Sequence, residues 1–227
     1  MPGGIQTVLF DLDGTLLDTA ADLAAALNRV LAENRREPLP CETIRPAVSH
    51  GGIAIVRRGF GLAACDPAIE PLRQRLLELY RANISTHTRP FPGMTEVLDA
   101  LEARGLNWGV VTNKPEWLTQ PLLSDLGLLQ RAACVVSGDT LAQSKPHPAP
   151  MLHACMLAGS EPQRCVYVGD AQRDVEAGNN AGMFTLVALF GYFRDDDRPQ
   201  EWQADAMINT PADLLEWLDE TENRSVI

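Results

Sequence analysis

Short, wholly apolar runs alternate along this chain with longer stretches whose apolar residues recur every three or four positions. One long interval carries the second pattern alone. The first run, Val8-Leu9-Phe10, reads as a strand buried on both faces, because no polar residue interrupts it. Residues 20–34 place Leu23, Leu27, Val30 and Leu31 at helical spacing behind an Asp18-Thr19 start signal, and Pro38-Leu39-Pro40 ends that helix. Helical spacing returns around 41–48, 53–60 and 68–84, with Gly51-Gly52 and Gly59-Phe60-Gly61 as breaks. No strand signal falls between about 17 and 88. Arg89-Pro90-Phe91-Pro92-Gly93 then reads as a stiff hinge that returns the chain.

Beyond the hinge the two patterns alternate. Helix 94–104 leads to strand 106–112, helix 116–126 and strand 133–137, then through the Ser144-Lys145-Pro146 turn to helix 148–158. Strand 165–169, helix 171–181, strand 184–189, strand 205–208 and helix 211–219 follow. Strands separated by single helices imply a parallel sheet with right-handed crossovers. The expected fold class is therefore α/β, a Rossmann-like parallel sheet core built from residues 1–16 and 89–227. The all-helical segment 17–88 interrupts it just after the first strand and is placed to act as a mobile cap.

Composition narrows the class. A chain of 227 residues suits one core with an inserted subdomain better than two full domains. With 45% hydrophobic and 22% charged residues it belongs with ordinary globular proteins, not disordered ones. Its strongest apolar run, Met183–Phe190, is strand-sized, so no membrane span is expected; nor is a secretory signal, for want of a basic stretch leading into a long apolar run. Cysteines 41, 65, 134, 155 and 165 are odd in number and lack metal-ligand spacing. They read as reduced, mostly buried thiols of a cytoplasmic protein. A formal net charge of −11 argues against nucleic acid or an anionic membrane as partner. Lys114 and Lys145 are the only lysines, and an acidic protein that takes an anionic substrate needs local positive charge.

Candidate chemistry gathers where strands end. The first strand runs into Asp11-Leu12-Asp13-Gly14-Thr15, and acids two apart share one face if the strand continues. Carboxylates at the carboxyl edge of a parallel strand stand where open α/β sheets bind ligands. They suit a hard cation such as Mg²⁺, and a carboxylate can itself serve as a nucleophile. Strand 106–112 ends in Thr112-Asn113, Lys145 follows strand 133–137, and strand 165–169 ends in Gly169-Asp170 with Asp174 one helical turn on. Each has a plain explanation alone, as a helix cap or a solvated loop. Their recurrence on strand after strand makes a shared site the better reading.

These four motifs, in this order and spacing, resemble those of the haloacid dehalogenase superfamily over nearly the whole chain, and the helical insertion is similar to that superfamily's type I cap. The resemblance implies a mechanism. Asp11 attacks phosphorus to form an aspartyl-phosphate, and Asp13 protonates the leaving alcohol and later activates water. Mg²⁺ is held by Asp11, the Asp13 backbone carbonyl and Asp170, while Thr112 and Lys145 bind phosphoryl oxygens beside Gly14, Thr15 and Asn113. Asp174 supports Lys145 or metal-bound water. The second acid argues against dehalogenases of the superfamily, and the lack of lysine in 17–88 argues against its phosphonatases. Hexose-phosphate mutases remain a weaker rival. A response-regulator receiver also combines acids, Thr and Lys, but with its acceptor on the third strand and no cap.

Within the superfamily the chain is similar to the phosphoglycolate phosphatase group, especially its members acting on N-acetylmuramic acid 6-phosphate. Leu106 to Pro115 and the late segment from Gly191-Tyr192 to Trp202 carry that likeness. The implied partner is a small phosphate ester, taken by a monomer or weak homodimer. Cap residues would choose the leaving group: the glycine-softened loop at Ser49-His50-Gly51-Gly52, and Arg58, which matches a basic position in similar enzymes. Trp117 and Trp202 read as packing residues, and His147 as a turn residue.

Overall fold

The computed structural model of the protein describes residues 4–224. Strand β1 (Thr7–Phe10) passes through a tight turn into β2 (Leu17–Asp18) and the helices α1 (Ala20–Glu33), α2 (Cys41–Val48), α3 (Gly51–Phe60) and α4 (Ile69–Arg81); β3 (Arg89–Pro90) brings the chain back. The remainder runs α5 (Met94–Ala103), β4 (Asn107–Val111), α6 (Glu116–Asp125), β5 (Cys134–Val136) and α7 (Ala149–Ala158). It ends in β6 (Cys165–Gly169), α8 (Gln172–Ala181), β7 (Phe184–Ala188), β8 (Ala206–Ile208) and α9 (Asp213–Arg224).

Six strands form one sheet in the order β5-β4-β1-β6-β7-β8. Every pairing is parallel, with Thr7 opposite both Asn107 and Cys165. The chain winds outward from β1 to β4 and β5, then crosses back to lay β6 on the other side of β1. That reversal opens a crevice beyond the carboxyl ends of β1 and β6, the ligand position in doubly wound sheets. Alternation along each strand feeds two cores. Val8, Phe10, Val110, Val166 and Val168 pack with α5, α6 and α9, whereas Leu9, Val111, Cys165 and Tyr167 pack with α7 and α8.

Helices α1–α4 pack mainly on one another through Leu27, Val30, Leu31, Ile44, Val56, Leu76 and Tyr80, all essentially buried. Two features of this segment differ from the sequence reading. Its ends pair as a two-stranded antiparallel ribbon, Leu17 opposite Pro90 and Asp18 opposite Arg89, where no strand was expected before residue 88. A two-residue strand is too short to carry a period, so only the crossing of the two connections creates it. Gly51 and Gly52 do not form a loop; they open α3, with Gly51 at φ 78° making the turn into the helix. Just inside the ribbon, the buried Asp22 carboxylate accepts from the backbone N–H of His87 and Thr88 and from the Thr88 hydroxyl at 2.7–3.0 Å. That staples the outgoing and returning chains together. The last helix is longer than expected, reaching Arg224, and among the described residues no helix is long and apolar enough to cross a membrane.

Candidate active site

The crevice gathers acidic and basic side chains from the ends of β1, β4, β5 and β6. Asp11 follows β1 directly and is 3% exposed. Its Oδ1 accepts from the Leu12 N–H at 2.7 Å and lies 2.9 Å from Lys145 Nζ, and its Oδ2 lies 3.9 Å from Arg173. Burial opposes its charge, but Lys145 and Arg173 outweigh that and hold the carboxyl below its usual range. Lys145 is itself buried. Its ammonium donates to the Tyr167 hydroxyl at 2.8 Å and the Val111 carbonyl at 3.0 Å, and pairs with Asp174 Oδ1 at 2.9 Å. Asn113 pins this lysine's loop reciprocally, donating to the Lys145 carbonyl and accepting from its N–H, both at 3.0 Å. Its amide, expected on substrate, makes these two contacts with the lysine's loop while the residue lines the cavity described below.

Asp170 ends β6 and is fully buried. Its Oδ2 accepts from the Ser49 hydroxyl at 2.6 Å and the Tyr192 N–H at 2.9 Å, while Oδ1 has no hydrogen-bond partner. Burial, then the charges of Asp11 and Asp174, push its carboxyl up to about 8. Gly14 lies against it at φ 89°, where any Cβ would collide with the Asp170 carboxylate. Thr15, the next residue, is fully buried and does not line the cavity.

Asp13 takes a different set of partners. Its Oδ1 accepts from the Thr19 hydroxyl at 2.7 Å, so Thr19 does not cap α1 with its side chain as the sequence suggested. Both Asp13 oxygens pair with Lys114 Nζ, at 2.9 and 3.2 Å, and that ammonium also meets the Tyr80 hydroxyl of α4 at 3.0 Å. Burial works against the Lys114 charge, but Asp13 and Tyr80 outweigh it and raise its pKa. Thr112, buried at the end of β4, accepts from the Lys114 N–H at 3.1 Å and lines the same cavity.

That cavity measures about 360 Å³. Its floor carries Asp11, Asp13, Thr112, Lys114 and Arg173; its helical side is largely apolar, with Val48, Ile53, Ile55 and Leu77 among its walls. His50 and Gly51 line it, and His50 is held below its ordinary pKa by burial and then by Arg194 and Arg173. Arg58 does not reach it. It is exposed and donates to the Thr43 carbonyl at 3.0 Å, on a different side of α3; the arginine that α4 brings to the wall is Arg73. Helical phase alone could not choose between them, since the choice depends on how α3 and α4 pack. Arg173 was also missed in the sequence, although it stands beside Asp174; it bridges to the Ser49 carbonyl and so ties α2 to the crevice. Lys114, missed as a site residue, had left a signal as one of only two lysines. Trp117 is 47% exposed and so is not a packing residue, whereas Trp202 is buried and stacks on Phe193. His147 Nδ1 accepts from the Ala149 N–H at 3.1 Å, a turn contact at the start of α7.

Asp11, Asp170 and Asp174 each offer an oxygen within 4.8 Å of the others. The Asp13 side chain stands outside this group. Three buried acids with an orphaned oxygen on Asp170 and a proton-retaining carboxyl are what a hard, oxygen-seeking cation would satisfy. The donor set fits such an ion.

The model of the haloacid dehalogenase-like hydrolase family matches residues 8–188. The chain is 40% identical over 215 residues to N-acetylmuramic acid 6-phosphate phosphatase of Pseudomonas aeruginosa, covering 95% of each. It is 46% identical over 206 residues to phosphoglycolate phosphatase of Xylella fastidiosa, covering 91% of this chain and 90% of that one. Among solved structures, a predicted phosphoglycolate phosphatase from Haemophilus somnus superposes with a TM-score of 0.83 at 26% identity, over 96% of this chain and 99% of the other.

Proposed function

We propose that this chain, which belongs to the haloacid dehalogenase-like hydrolase family and is a phosphoric monoester hydrolase, uses Asp11 and Mg²⁺ to dephosphorylate N-acetylmuramic acid 6-phosphate. In this reading an Asp11 oxygen attacks phosphorus, the ester P–O bond breaks, and the leaving alkoxide takes its proton from Asp13. Asp13 then accepts a proton from water as that water attacks the phosphoaspartate, freeing inorganic phosphate and restoring Asp11. Asp11, Asp170 and the Asp13 carbonyl would hold Mg²⁺, with Asp174 close by; when bound, it neutralises and orients phosphoryl oxygens. Thr112 and Lys145 contribute the fixed donors around the phosphoryl group, and Asp174 holds the Lys145 ammonium in place. Helices α1–α4 act as the cap that excludes water.

The observation that carries the substrate reading is the cavity. At about 360 Å³ with an apolar helical wall it is in the size range of drug-sized ligands, roughly 300–1,000 Å³, and exceeds what a two-carbon acid needs. Arg73 on that wall pairs with Glu70 at 2.7 and 2.9 Å across the surface of α4. In this reading its guanidinium exchanges that exposed pair for a substrate carboxylate remote from the phosphate, the role first assigned to Arg58. Similarity to the Xylella enzyme favours phosphoglycolate as the second reading.

Steady-state kinetics decide between them. The expected order of kcat/KM is N-acetylmuramic acid 6-phosphate above N-acetylglucosamine 6-phosphate and phosphoglycolate, and Arg73→Ala should erode that preference while sparing p-nitrophenyl phosphate. A tenfold preference for phosphoglycolate, about 1.4 kcal/mol in transition-state binding, overturns the amino-sugar reading.

A further inference from the structure

Three elements meet at one ammonium that the mechanism above leaves unused. Lys114 stands just past β4, Asp13 just past β1, and Tyr80 on α4 of the helical segment. Lys114 is 8% exposed, an expensive place for a cation unless it is paired on several sides. Its Nζ reaches Asp13 Oδ1 at 2.9 Å, Asp13 Oδ2 at 3.2 Å and the Tyr80 hydroxyl at 3.0 Å. It also lies 4.4 Å from the centroid of the Tyr80 ring, within range of a cation–π attraction. Beyond Lys114, the Asp13 side chain has the Thr19 hydroxyl as its one other hydrogen-bond partner among the described residues. Thr19 touches a single oxygen, so Lys114 is the group that spans the carboxylate and sets the plane in which it lies.

We infer that Lys114 is a positioning residue for Asp13, and that the Tyr80 hydroxyl makes this positioning depend on where α4 sits. The inference rests on Asp13 being the proton-transfer group of the proposed reaction. With α4 seated over the crevice, Tyr80 fixes the ammonium and the ammonium fixes the carboxylate. Without the hydroxyl the lysine keeps Asp13 but loses its anchor on the helical side. Without the ammonium, Asp13 keeps one contact and is free to change rotamer. A proton donor displaced by an ångström harms the step that needs its proton far more than binding.

The test uses the full chain with Mg²⁺ and reads the single-turnover rate of alcohol release, because hydrolysis of the phosphoaspartate uses Asp13 whichever ester formed it. It compares an unactivated alkyl phosphate with p-nitrophenyl phosphate, whose leaving group departs without a proton. Lys114→Met keeps length and burial; Tyr80→Phe keeps the ring and removes the hydroxyl. Lys114→Met should lower that rate on the alkyl ester about 10–100-fold, short of the 10²–10⁴ typical of general acid–base catalysis. The loss on the nitrophenyl ester should be several-fold smaller, with KM little changed on either. Tyr80→Phe should show the same asymmetry more weakly, and it carries the test alone if Lys114→Met fails to fold. Equal losses on both esters, or an effect confined to KM, overturn the inference. Asp13→Asn, run alongside, separates the two ways of failing. If it discriminates between the esters and the Lys114 and Tyr80 variants do not, the positioning role is wrong. If Asp13→Asn does not discriminate either, the proton-transfer assignment falls and the inference falls with it.

Discussion

The Tyr192 hydroxyl donates to Asp18 Oδ1 at 2.6 Å, joining the loop after β7 to the ribbon strand through which the helical segment leaves the sheet. The hydroxyl oxygen of Tyr192 accepts from the N–H groups of Thr19 and Ala20 at 2.8 and 3.1 Å, so it caps the start of α1, with Asp18 Oδ1 sharing the Ala20 N–H at 3.3 Å. Arg45 of α2 pairs with the other Asp18 oxygen at 2.9 Å and lies over the Tyr192 ring, 4.5 Å from its centroid. The backbone N–H of the same tyrosine holds Asp170. A single tyrosine thus links the crevice, the ribbon and the first two helices.

Tyr192→Phe should destabilise the protein by about 1–3 kcal/mol, because the buried Thr19 N–H loses its acceptor and the Ala20 N–H keeps only Asp18 Oδ1 at 3.3 Å, while the ring still fills its space. For a chain of this length that is about 2–4 °C in melting temperature per kcal/mol. Thermal or urea unfolding measures it, and an unchanged midpoint would show that water replaces the hydroxyl without cost.

Asp18 should leave a mark on acid stability. Burial pushes its carboxyl up, but hydrogen bonds from Tyr192 and Arg45 outweigh burial and hold it below the ordinary value. A depressed folded-state pKa adds stability that is present above the unfolded value of about 3.9 and is lost as pH falls through the folded one. Melting temperatures of the protein and its Asp18→Asn variant should differ by a constant amount near neutral pH and converge below about pH 4. Curves that stay parallel down to acid pH would remove Asp18 from the account. Its carboxylate is partly exposed, so the effect should also shrink in high salt.

Asp170 should respond in the opposite sense. Its carboxyl retains a proton up to about 8, so in cation-free protein its ionisation opposes folding, and stability attributable to it declines as pH rises toward that value. Mg²⁺ bound at the proposed site should relieve the repulsion and, at a hundredfold excess over Kd, add about 2.7 kcal/mol. Asp170→Asn should match or exceed the unsubstituted protein in melting temperature without cation, and should show no shift when Mg²⁺ is added. A full Mg²⁺ shift in that variant would place the ion elsewhere.

Asp11→Asn should abolish phosphate release from alkyl and nitrophenyl esters alike, since an amide cannot serve as the anionic nucleophile. Lys145 would then keep Asp174 as its carboxylate partner, so the fold should persist. Substantial turnover by the folded variant on either ester would end the phosphoaspartate reading.

Much of the architecture is local and therefore legible. Val8-Leu9-Phe10 and Val166-Tyr167-Val168 are apolar on both faces because helices cover both sides of the sheet, and that pattern is written in consecutive residues. Motif spacing carried Asp11, Lys145, Asp170 and Asp174 to strand ends, and a parallel sheet puts all strand ends on one edge. The sequence by itself thus determined the parallel α/β class, the helical insertion and the edge where its acids meet. Tertiary structure alone decided the partners. Lys114 reaches Asp13, 101 positions away, because β4 lies beside β1; Tyr192 reaches Asp18, 174 positions away, because the loop after β7 folds back over the ribbon. Arg73 lines the cavity and Arg58 does not, because the packing of α3 against α4 sets which helical face looks inward. Periodicity states that a helix has a buried face. What that face meets depends on contacts between residues far apart in sequence, and these exist only once the chain has folded.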